Sequence, residues 1–527
     1  MSSRARKRSF PARSWSNSVS LLKDHAQQNV VMLSIENQYK IDRADFMLVR
    51  AIRLLKEFSI MMRFDMLGGV SLLLALLAAP AAARPALNLT GERIADLDEL
   101  SQVPSSYLRG ALNVRWLDGK KQHELAAAAM AKFFAPWRGG AVDDPLVSGW
   151  GFDVLDAPRW GENLRPLTEE KKIALRGQAA MDRFPSMDRA AVAVVNTSAR
   201  ALPTGRPALA DPAAAGEGFP FDYMQCGAVW AGTPLRVKHA DRSGAWYLCE
   251  SGLFSGWIRA ADVALAGRSF MEKYDTGRYG VIVADDTPLR DAKGRTLAVV
   301  HAGAIFPAAA ERDGMLVLNV PVRTASGTAR IAHACAAAGA AQRWPLPMDA
   351  AGVGALADRF MGVNYGWGGL FEDRDCSATM HDLFLPFGIG LPHHSSLQAK
   401  CGVFVDLTGK SNEEKLKIIR ARGVPFRTLV GMKGHVALFV GLSPQGEPAI
   451  LHNLWGVRLA SEDDPDLSGR IVVGRVVVTT LRPGVERRGM VAPGGLLDRV
   501  TTLTFLPGFE PAEKGLGDDL QKEKRRL

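Results

Sequence analysis

Apolar and polar positions alternate through the middle of the chain, in short runs separated by Gly, Pro and Asp. This period of two is that of half-buried β-strands. Two such stretches carry the same tetrapeptide, TPLR, at Thr233–Arg236 and Thr287–Arg290. The second copy starts 54 residues after the first (287 − 233). The pattern predicts two small β-barrels in tandem, over residues 196–265 and 266–325.

The segment before these strands has helical periodicity instead. The run His123–Arg138 is alanine-rich and meets Pro136 near its end, and Leu167–Met181 has Thr168 where a helix N-cap is expected. No residue type in this segment indicates catalysis. We therefore predict a mostly helical packing domain over residues 84–195.

The chain after the predicted barrels combines both periodicities. Helical patterns come first, and apolar runs of strand length follow at His435–Leu442, Pro448–Gly456 and Arg470–Leu481. Helices followed by antiparallel strands are typical of an α+β domain. We place this domain at residues 326–510 and treat residues 511–527 as a charged tail.

The positive charge of the chain is concentrated at its beginning. Eleven Lys and Arg against five Asp and Glu in residues 1–61 supply +6 of the net +10, which leaves +4 for the rest. With no nucleic-acid-binding motif in sight, this remainder does not indicate a nucleic-acid partner.

An uncharged apolar run then extends from Met66 to Ala83, after a basic start at Arg63. The three alanines that end it form a small-residue cleavage site, which predicts a signal peptide over residues 62–83. The alternative is a membrane anchor, but Pro80 and the alanine-rich end favour cleavage. We expect residues 1–61 to be a non-native or dispensable extension, and the protein to be exported, to a bacterial periplasm.

The five cysteines are an odd number, so an exported chain keeps at least one of them unpaired within the molecule. Cys226 and Cys249 could form a bridge. The Cys and His residues that could bind zinc lack the usual paired-ligand spacing, so we predict no metal and no cofactor. They are Cys376, His381, His393, His394 and Cys401.

One of these cysteines has the surroundings of a nucleophile. Asp375 is a suitable N-cap for a helix that begins at Cys376. A helix N-terminus stabilises a thiolate, which predicts a depressed pKa for the thiol, and its amides can hold an oxyanion. The sequence therefore favours Cys376 as a reactive thiol.

A base and a residue that orients it follow on two predicted strands. His435 opens the run GHVALFVG, 59 residues after Cys376. A third residue on the neighbouring strand is either His452 or Asn453, which point to opposite faces. Papain-like triads can use Asn, so periodicity leaves the choice open.

Five motifs give the chain a family resemblance: NYGWGG (364–369), DCS (375–377), LPHHSSLQ (391–398), GHVALFVG (434–441) and LHNLWG (451–456). They resemble the NlpC-type cysteine peptidases of bacterial peptidoglycan. The layout is similar to the subgroup with an N-terminal helical domain, two bacterial SH3-like barrels and a C-terminal catalytic domain. This resemblance implies a papain-like fold for the last domain.

The resemblance also implies roles for matching residues. Cys376 is the nucleophile, His435 the base, and His452 the residue that orients His435. Tyr365, with the Cys376 amide, contributes to the oxyanion hole.

Further matching residues contact the substrate. Asp375 and Ser377 hold the free amine of an L-Ala-γ-D-Glu ligand, Ser395 makes another contact, and Tyr223 reaches over from the first barrel. The sequence departs from the subgroup at LPHHSS, where Arg-Asn commonly precedes the serine, and this puts the groove edge near His393 in question.

The implied activity is hydrolysis of the γ-D-glutamyl–diamino acid bond of peptidoglycan stem peptides. The expected partner is a stem peptide or its released fragment, bound by a monomer without a membrane span after signal cleavage. Two alternatives remain: an acyltransferase on the same scaffold, and a non-catalytic wall-binding protein.

Overall fold

The computed structural model describes residues 89, 91–108, 113–139, 151–214, 217–464, 467–487 and 489–509. The predicted extension (1–61), signal peptide (62–83) and charged tail (511–527) lie outside the described residues. Within those residues, no helix has both the length and the apolar character needed to cross a membrane.

The N-terminal segment contains helices joined by irregular chain. The α-helices are α1 (Asp96–Glu99), α2 (Gly119–Phe133), α3 (Ala135–Arg138) and α4 (Glu169–Gln178). The predicted helix His123–Arg138 is thus two helices that meet at Phe134. Helix α4 begins after Thr168, whose hydroxyl accepts from the Lys171 N–H at 3.4 Å, as the sequence predicted.

The first sheet has seven antiparallel strands in the order β3-β2-β6-β5-β4-β1-β7. Its strands are β1 (Arg189–Ala193), β2 (Thr197–Arg200), β3 (Gln225–Val229), β4 (Pro234–Ala240), β5 (Trp246–Glu250), β6 (Ser255–Arg259) and β7 (Val263–Leu265). Helix α5 (Arg268–Tyr274) leads to the second sheet.

The second sheet repeats this topology strand for strand, in the order β10-β9-β13-β12-β11-β8-β14. Its strands are β8 (Tyr279–Ile282), β9 (Thr287–Arg290), β10 (Thr296–Val300), β11 (Ile305–Arg312), β12 (Met315–Arg323), β13 (Ala329–Cys335) and β14 (Ala341–Trp344). Two of these strands lie beyond residue 325, where the sequence placed the end of this barrel, and β1 starts before residue 196.

The matching topology corrects the repeat inferred from TPLR. Equivalent strands β1 and β8 start 90 residues apart (279 − 189), not 54. The first TPLR overlaps β4, whereas the second is β9, which corresponds to β2. Two β-units are present, but the shared tetrapeptide lies on strands that are not equivalent. It forms strand in each unit without marking the same position.

The last unit is mixed α and β, with its longest helices ahead of most of its strands. The helices are α6 (Ala350–Phe360), α7 (Cys376–Phe384), α8 (Ser395–Gln398), α9 (Asn412–Arg422) and α10 (Leu496–Arg499). The strands are β15 (Phe404–Asp406), β16 (Thr428–Met432), β17 (His435–Leu442), β18 (Pro448–Ser461), β19 (Ser468–Thr479), β20 (Met490–Val491) and β21 (Val500–Phe505).

The six-strand path of this sheet runs β15-β21-β16-β17-β18-β19, with β20 paired to β18. Helix α7 packs on β17 and β18. One buried apolar cluster joins all four parts of the chain, because it includes Phe134, Val192, Val281, Leu356 and Met380. This shared core holds both barrels against the unit that carries the predicted thiol.

Candidate active site

Cys376 is the first residue of α7, and Asp375 is its N-cap. One carboxylate oxygen of Asp375, Oδ1, accepts from the Ala378 N–H and from the Ser377 hydroxyl, each at 2.8 Å. The other oxygen, Oδ2, has no hydrogen-bond partner among the described residues. The aspartate therefore caps the helix with one oxygen and leaves the other available.

His435 and His452 form a direct hydrogen bond beside this helix. His435 Nε2 lies 2.8 Å from His452 Nδ1, and both rings are buried. The register of β17 and β18 explains the meeting: Leu438 pairs with Leu451, so His452 shares a sheet face with His435.

Asn453 points to the opposite face of β18. Its Nδ2 donates to the carbonyls of Arg374 at 2.7 Å and Asn364 at 3.2 Å, and it lies 3.3 Å from Thr379 Oγ1. Asn453 thus ties the segment before Cys376 to the segment before Tyr365. It supports the backbone around the thiol and does not contact His435.

The thiol lies near the start of β17, where the Val436 N–H favours its charged form. Burial, with the Asp375 carboxylate adding to it, raises the pKa of Cys376 to about 12. The depressed pKa expected from the helix N-terminus is therefore wrong. The nearby Val436 and Ser377 amides lower the pKa but do not offset the lost hydration.

The two histidines are held neutral. Burial, then the neighbouring His452 and the Arg499 guanidinium, keep the pKa of His435 well below its usual value. Burial and Arg499 lower the pKa of His452 to about 3. The site at neutral pH is therefore a neutral thiol beside two neutral imidazoles, one of which can take up a proton.

Tyr365 lies in the loop before α7. Burial, followed by the charges of Cys376 and Asp375, raises the pKa of its phenol well above the usual value. The phenol stays protonated, so it can donate a hydrogen bond. Its ring lies 5.9 Å from that of Trp455, centroid to centroid.

The other predicted contact residues, Ser395 and Tyr223, come from different parts of the chain: Ser395 begins α8, and Tyr223 lies in the first barrel segment. Gln398, at the end of α8, donates to the carbonyls of Ser377 and Pro392, each at 2.8 Å, and so brings the helix that begins at Ser395 against α7. Tyr223 comes from the first barrel segment, with its ring 6.1 Å from Trp367.

The loop that carries Trp367 is wedged against the first barrel. Gly369 has φ +83°, and a Cβ there would lie 2.3 Å from the Ala228 backbone nitrogen, so only glycine fits. At the end of the loop, the Glu372 carboxylate accepts from Asn196 at 2.9 Å and lies 3.0 Å from His301 Nε2. Both barrels therefore set the position of this loop.

Sequence reasoning missed Arg374, although it stands in the same motif as the thiol. Its guanidinium is 2% exposed and makes a two-pronged ion pair with Asp285 of the second barrel, at 2.8 and 2.9 Å. It also donates to Asp382 on α7 at 2.7 Å. Trp230 of the first barrel donates to the same Asp382 carboxylate at 3.0 Å. Arg374, which directly precedes Asp375, therefore connects the start of α7 to the barrels.

His393 has an interdomain contact. Its ring lies 4.2 Å from that of Phe254, and its Nε2 lies 2.8 Å from the Cys226 carbonyl oxygen. Cys226 and Cys249 are not joined by a disulfide, so the bridge considered between them is absent from the described residues. In the described part of the chain, no group of three or more His, Cys, Asp or Glu could hold a metal ion.

Comparison with known proteins adds three family matches. Residues 67–184 match the NLPC_P60 stabilising domain, residues 207–259 an SH3 domain of SH3b1 type, and residues 268–312 an SH3 domain of SH3b2 type. A search of curated proteins gives no match.

Comparison with solved structures gives a likeness in fold to one NlpC/P60 endopeptidase and a weaker match to a second protein. An NlpC/P60 endopeptidase from Photobacterium damselae subsp. piscicida has a TM-score of 0.69 at 22% identity, and the alignment covers 79% of this chain and 98% of that one. An NlpC/P60 family protein from Bacillus cereus has a TM-score of 0.36 at 18% identity, over 54% of this chain and 83% of that one. With its stabilising domain, two SH3-type domains and this fold, the chain matches the NlpC/P60 subgroup that the sequence motifs indicated.

Proposed function

We propose that this protein is an exported cysteine endopeptidase that cleaves the γ-D-glutamyl–diamino acid bond of peptidoglycan stem peptides with a free N-terminal L-Ala. The observation that carries the proposal is that the helix beginning at Cys376 packs on the two strands that bear the hydrogen-bonded pair His435 and His452. A thiol, a neutral imidazole and a second imidazole that orients it are the components of acyl transfer.

The chemistry follows from the neutral resting state. As the Cys376 sulfur bonds to the peptide carbonyl carbon, its proton passes to His435. The resulting oxyanion accepts from the Cys376 N–H, which has no intrahelical acceptor at the first helical position, and from the Tyr365 hydroxyl. This division of roles needs no preformed thiolate, which agrees with the raised pKa of the buried thiol.

The second half of the reaction returns the site to its starting state. His435 gives its proton to the departing amine of the diamino acid, and a thioester remains on Cys376. Water then attacks the thioester and passes a proton through His435 to the sulfur. The products are the free γ-carboxylate of D-glutamate and a shortened peptide, with the thiol restored.

The surrounding residues support this substrate class. Asp375 Oδ2 is available to a substrate ammonium group, next to the thiol. The Tyr223 ring of the first barrel segment lies 6.1 Å from the Trp367 ring of the loop before α7, so aromatic side chains of the barrel and the last unit meet there. We therefore assign the barrels to shaping the groove and the last unit to a papain-like catalytic domain.

Purified L-Ala-γ-D-Glu-diaminopimelate and mass analysis of the products test the proposal, with Cys376→Ala as the matched inactive variant. We expect L-Ala-D-Glu and free diaminopimelate, with a total mass gain of one water. Transfer of the acyl group to an added amine without hydrolysis would identify an acyltransferase. An unchanged peptide, together with retention of the protein on sedimented wall sacculi, would identify a wall-binding protein.

A further inference from the structure

A chain of hydrogen bonds continues behind His452. His452 Nε2 lies 3.0 Å from the hydroxyl of Thr479, the last residue of β19. That hydroxyl donates to the Thr480 carbonyl at 2.7 Å. The side chains of His452 and Thr479 are fully buried, so water does not substitute for any of these partners.

The Thr480 carbonyl ends this series of hydrogen bonds and determines which group donates and which accepts in each of them. A carbonyl oxygen only accepts, so the Thr479 hydrogen points at Thr480 and its oxygen accepts from His452 Nε2–H. His452 Nδ1 then carries a lone pair and accepts from His435 Nε2–H. The remaining ring nitrogen of His435, Nδ1, is left with the lone pair that a general base needs.

The N-terminal segment holds the end of β19 in place. The Asp96 carboxylate accepts from both the N–H and the hydroxyl of Thr480, at 2.7 and 2.9 Å. Gln102 makes a reciprocal pair with the backbone of Val478, donating to its carbonyl at 2.9 Å and accepting from its N–H at 3.0 Å. The carbonyl that orients Thr479 is therefore fixed by side chains more than 370 positions earlier in the sequence.

We propose that Thr479 is a positioning residue, which sets the tautomer of His452 and through it makes Nδ1 the proton-accepting nitrogen of His435. The inference rests on the proposed function for its effect on rate, but the tautomer itself does not depend on which substrate is cleaved. Removal of the hydroxyl leaves His452 Nε2–H without an acceptor, so the other tautomer gains population. In that tautomer His452 donates to His435 Nε2, and Nδ1 of His435 carries the proton.

Three variants separate positioning from packing. Thr479→Val keeps the shape and removes the hydroxyl, whereas Thr479→Ser keeps the hydroxyl. The control is Thr428→Val, at an equally buried threonine of the same sheet whose hydroxyl accepts from the Val424 N–H at 2.9 Å. Thr428 starts β16, at the opposite end of that strand from Met432, the residue paired with His435.

We expect Thr479→Val to lower kcat by about 10- to 100-fold with KM nearly unchanged, as for other partners that orient a functional histidine. Thr479→Ser should restore kcat to within a few-fold of wild type, and Thr428→Val should leave it unchanged. Equal kcat for wild type and Thr479→Val would overturn the proposal. A loss that Thr479→Ser does not rescue would also overturn it, because packing alone would explain such a loss.

Histidine ring ¹⁵N chemical shifts test the tautomer without any substrate, with His452→Gln used to assign the signals. We expect His452 to be protonated at Nε2 in the wild type and to shift toward Nδ1 protonation in Thr479→Val. Nδ1 protonation in the wild type would refute the inference even if the enzyme is active. Conversely, an inactive wild type with the expected shifts would refute the proposed function alone.

Discussion

The Asp375 carboxylate has two proposed roles, capping of α7 and binding of a substrate ammonium group, and the Asp375→Asn variant separates them. Oδ1 caps α7 by accepting from Ala378 N–H, whereas Oδ2 has no partner among the described residues. Asparagine caps a helix about as well as aspartate but carries no charge. The variant should therefore keep its free energy of unfolding and lose the electrostatic attraction for a substrate ammonium group.

The size of the effect follows from the bond that is weakened. A hydrogen bond between charged groups contributes about 1.5–3 kcal/mol. At about 1.4 kcal/mol for each tenfold, this predicts roughly a 10- to 150-fold preference for a free over a blocked N-terminus. We expect the wild-type enzyme to show this preference and the Asp375→Asn variant to lose most of it.

The assay compares initial rates on L-Ala-γ-D-Glu-diaminopimelate with rates on the same peptide acetylated at its alanine. The control is Asp349→Asn, a similarly half-buried N-cap whose side chain accepts from the Gly352 N–H at 2.7 Å at the start of α6. This variant makes the same chemical change at a helix that does not carry the thiol. It should retain the wild-type ratio of the two rates.

Two results would refute the reasoning. Equal wild-type rates on the free and acetylated peptides would rule out ammonium selection and favour intact wall as the substrate. A large wild-type preference that survives in Asp375→Asn would assign the selection to another group. The residue serves only as a helix cap if Asp375→Ala lowers stability, typically by about 1 kcal/mol, while Asp375→Asn does not, and neither variant changes the ratio of rates on the two peptides.

Three further predictions concern the thiol and the strand residues behind it. Cys376→Ala should abolish hydrolysis in a folded protein, whereas Cys401→Ala should remain active; circular dichroism and product analysis measure both, and substantial turnover by Cys376→Ala would remove the thiol from the mechanism. His452→Ala should lower kcat by orders of magnitude, while Asn453→Ala should act mainly on stability, costing about 1–3 kcal/mol because it removes the hydrogen bonds from Asn453 to the Arg374 and Asn364 carbonyls. The opposite ranking in kinetic and urea-unfolding measurements would contradict these roles. The folded pKa of His452 is about 3 against 6.5 for the unfolded residue, so the unfolded state binds the proton first and stability falls as pH drops below about 6.5. The loss of stability is about 2 kcal/mol at pH 5. Between neutral pH and pH 5, the free energy of unfolding measured in urea should therefore fall by about 2 kcal/mol less in His452→Gln than in the wild type. Equal decreases would show that the histidine is not held neutral.

Features that depend on local chemistry were predictable from the amino-acid sequence. Asp375 caps the helix that begins at Cys376, and Thr168 caps its own helix, because a side-chain acceptor at these positions satisfies nearby backbone N–H groups. The strand His435–Leu442 has the predicted bounds, since its apolar run is bounded by turn-forming residues. Two β-units in tandem were also predicted, because alternation and turn residues are local signals.

Features that depend on pairing between distant segments became visible in the folded chain. The register of β17 and β18 places His452 beside His435 and turns Asn453 to the other face, which a period of two leaves open. Equivalent strands of the two sheets start 90 residues apart (279 − 189), whereas the shared tetrapeptide lies on strands that are not equivalent. The raised pKa of Cys376 likewise follows from burial by other segments, which outweighs the local effect of the helix N-terminus. Arg374 meets Asp285 across 89 positions, and Asp96 meets Thr480 across 384, because folding brings together charges and donors that no local pattern connects.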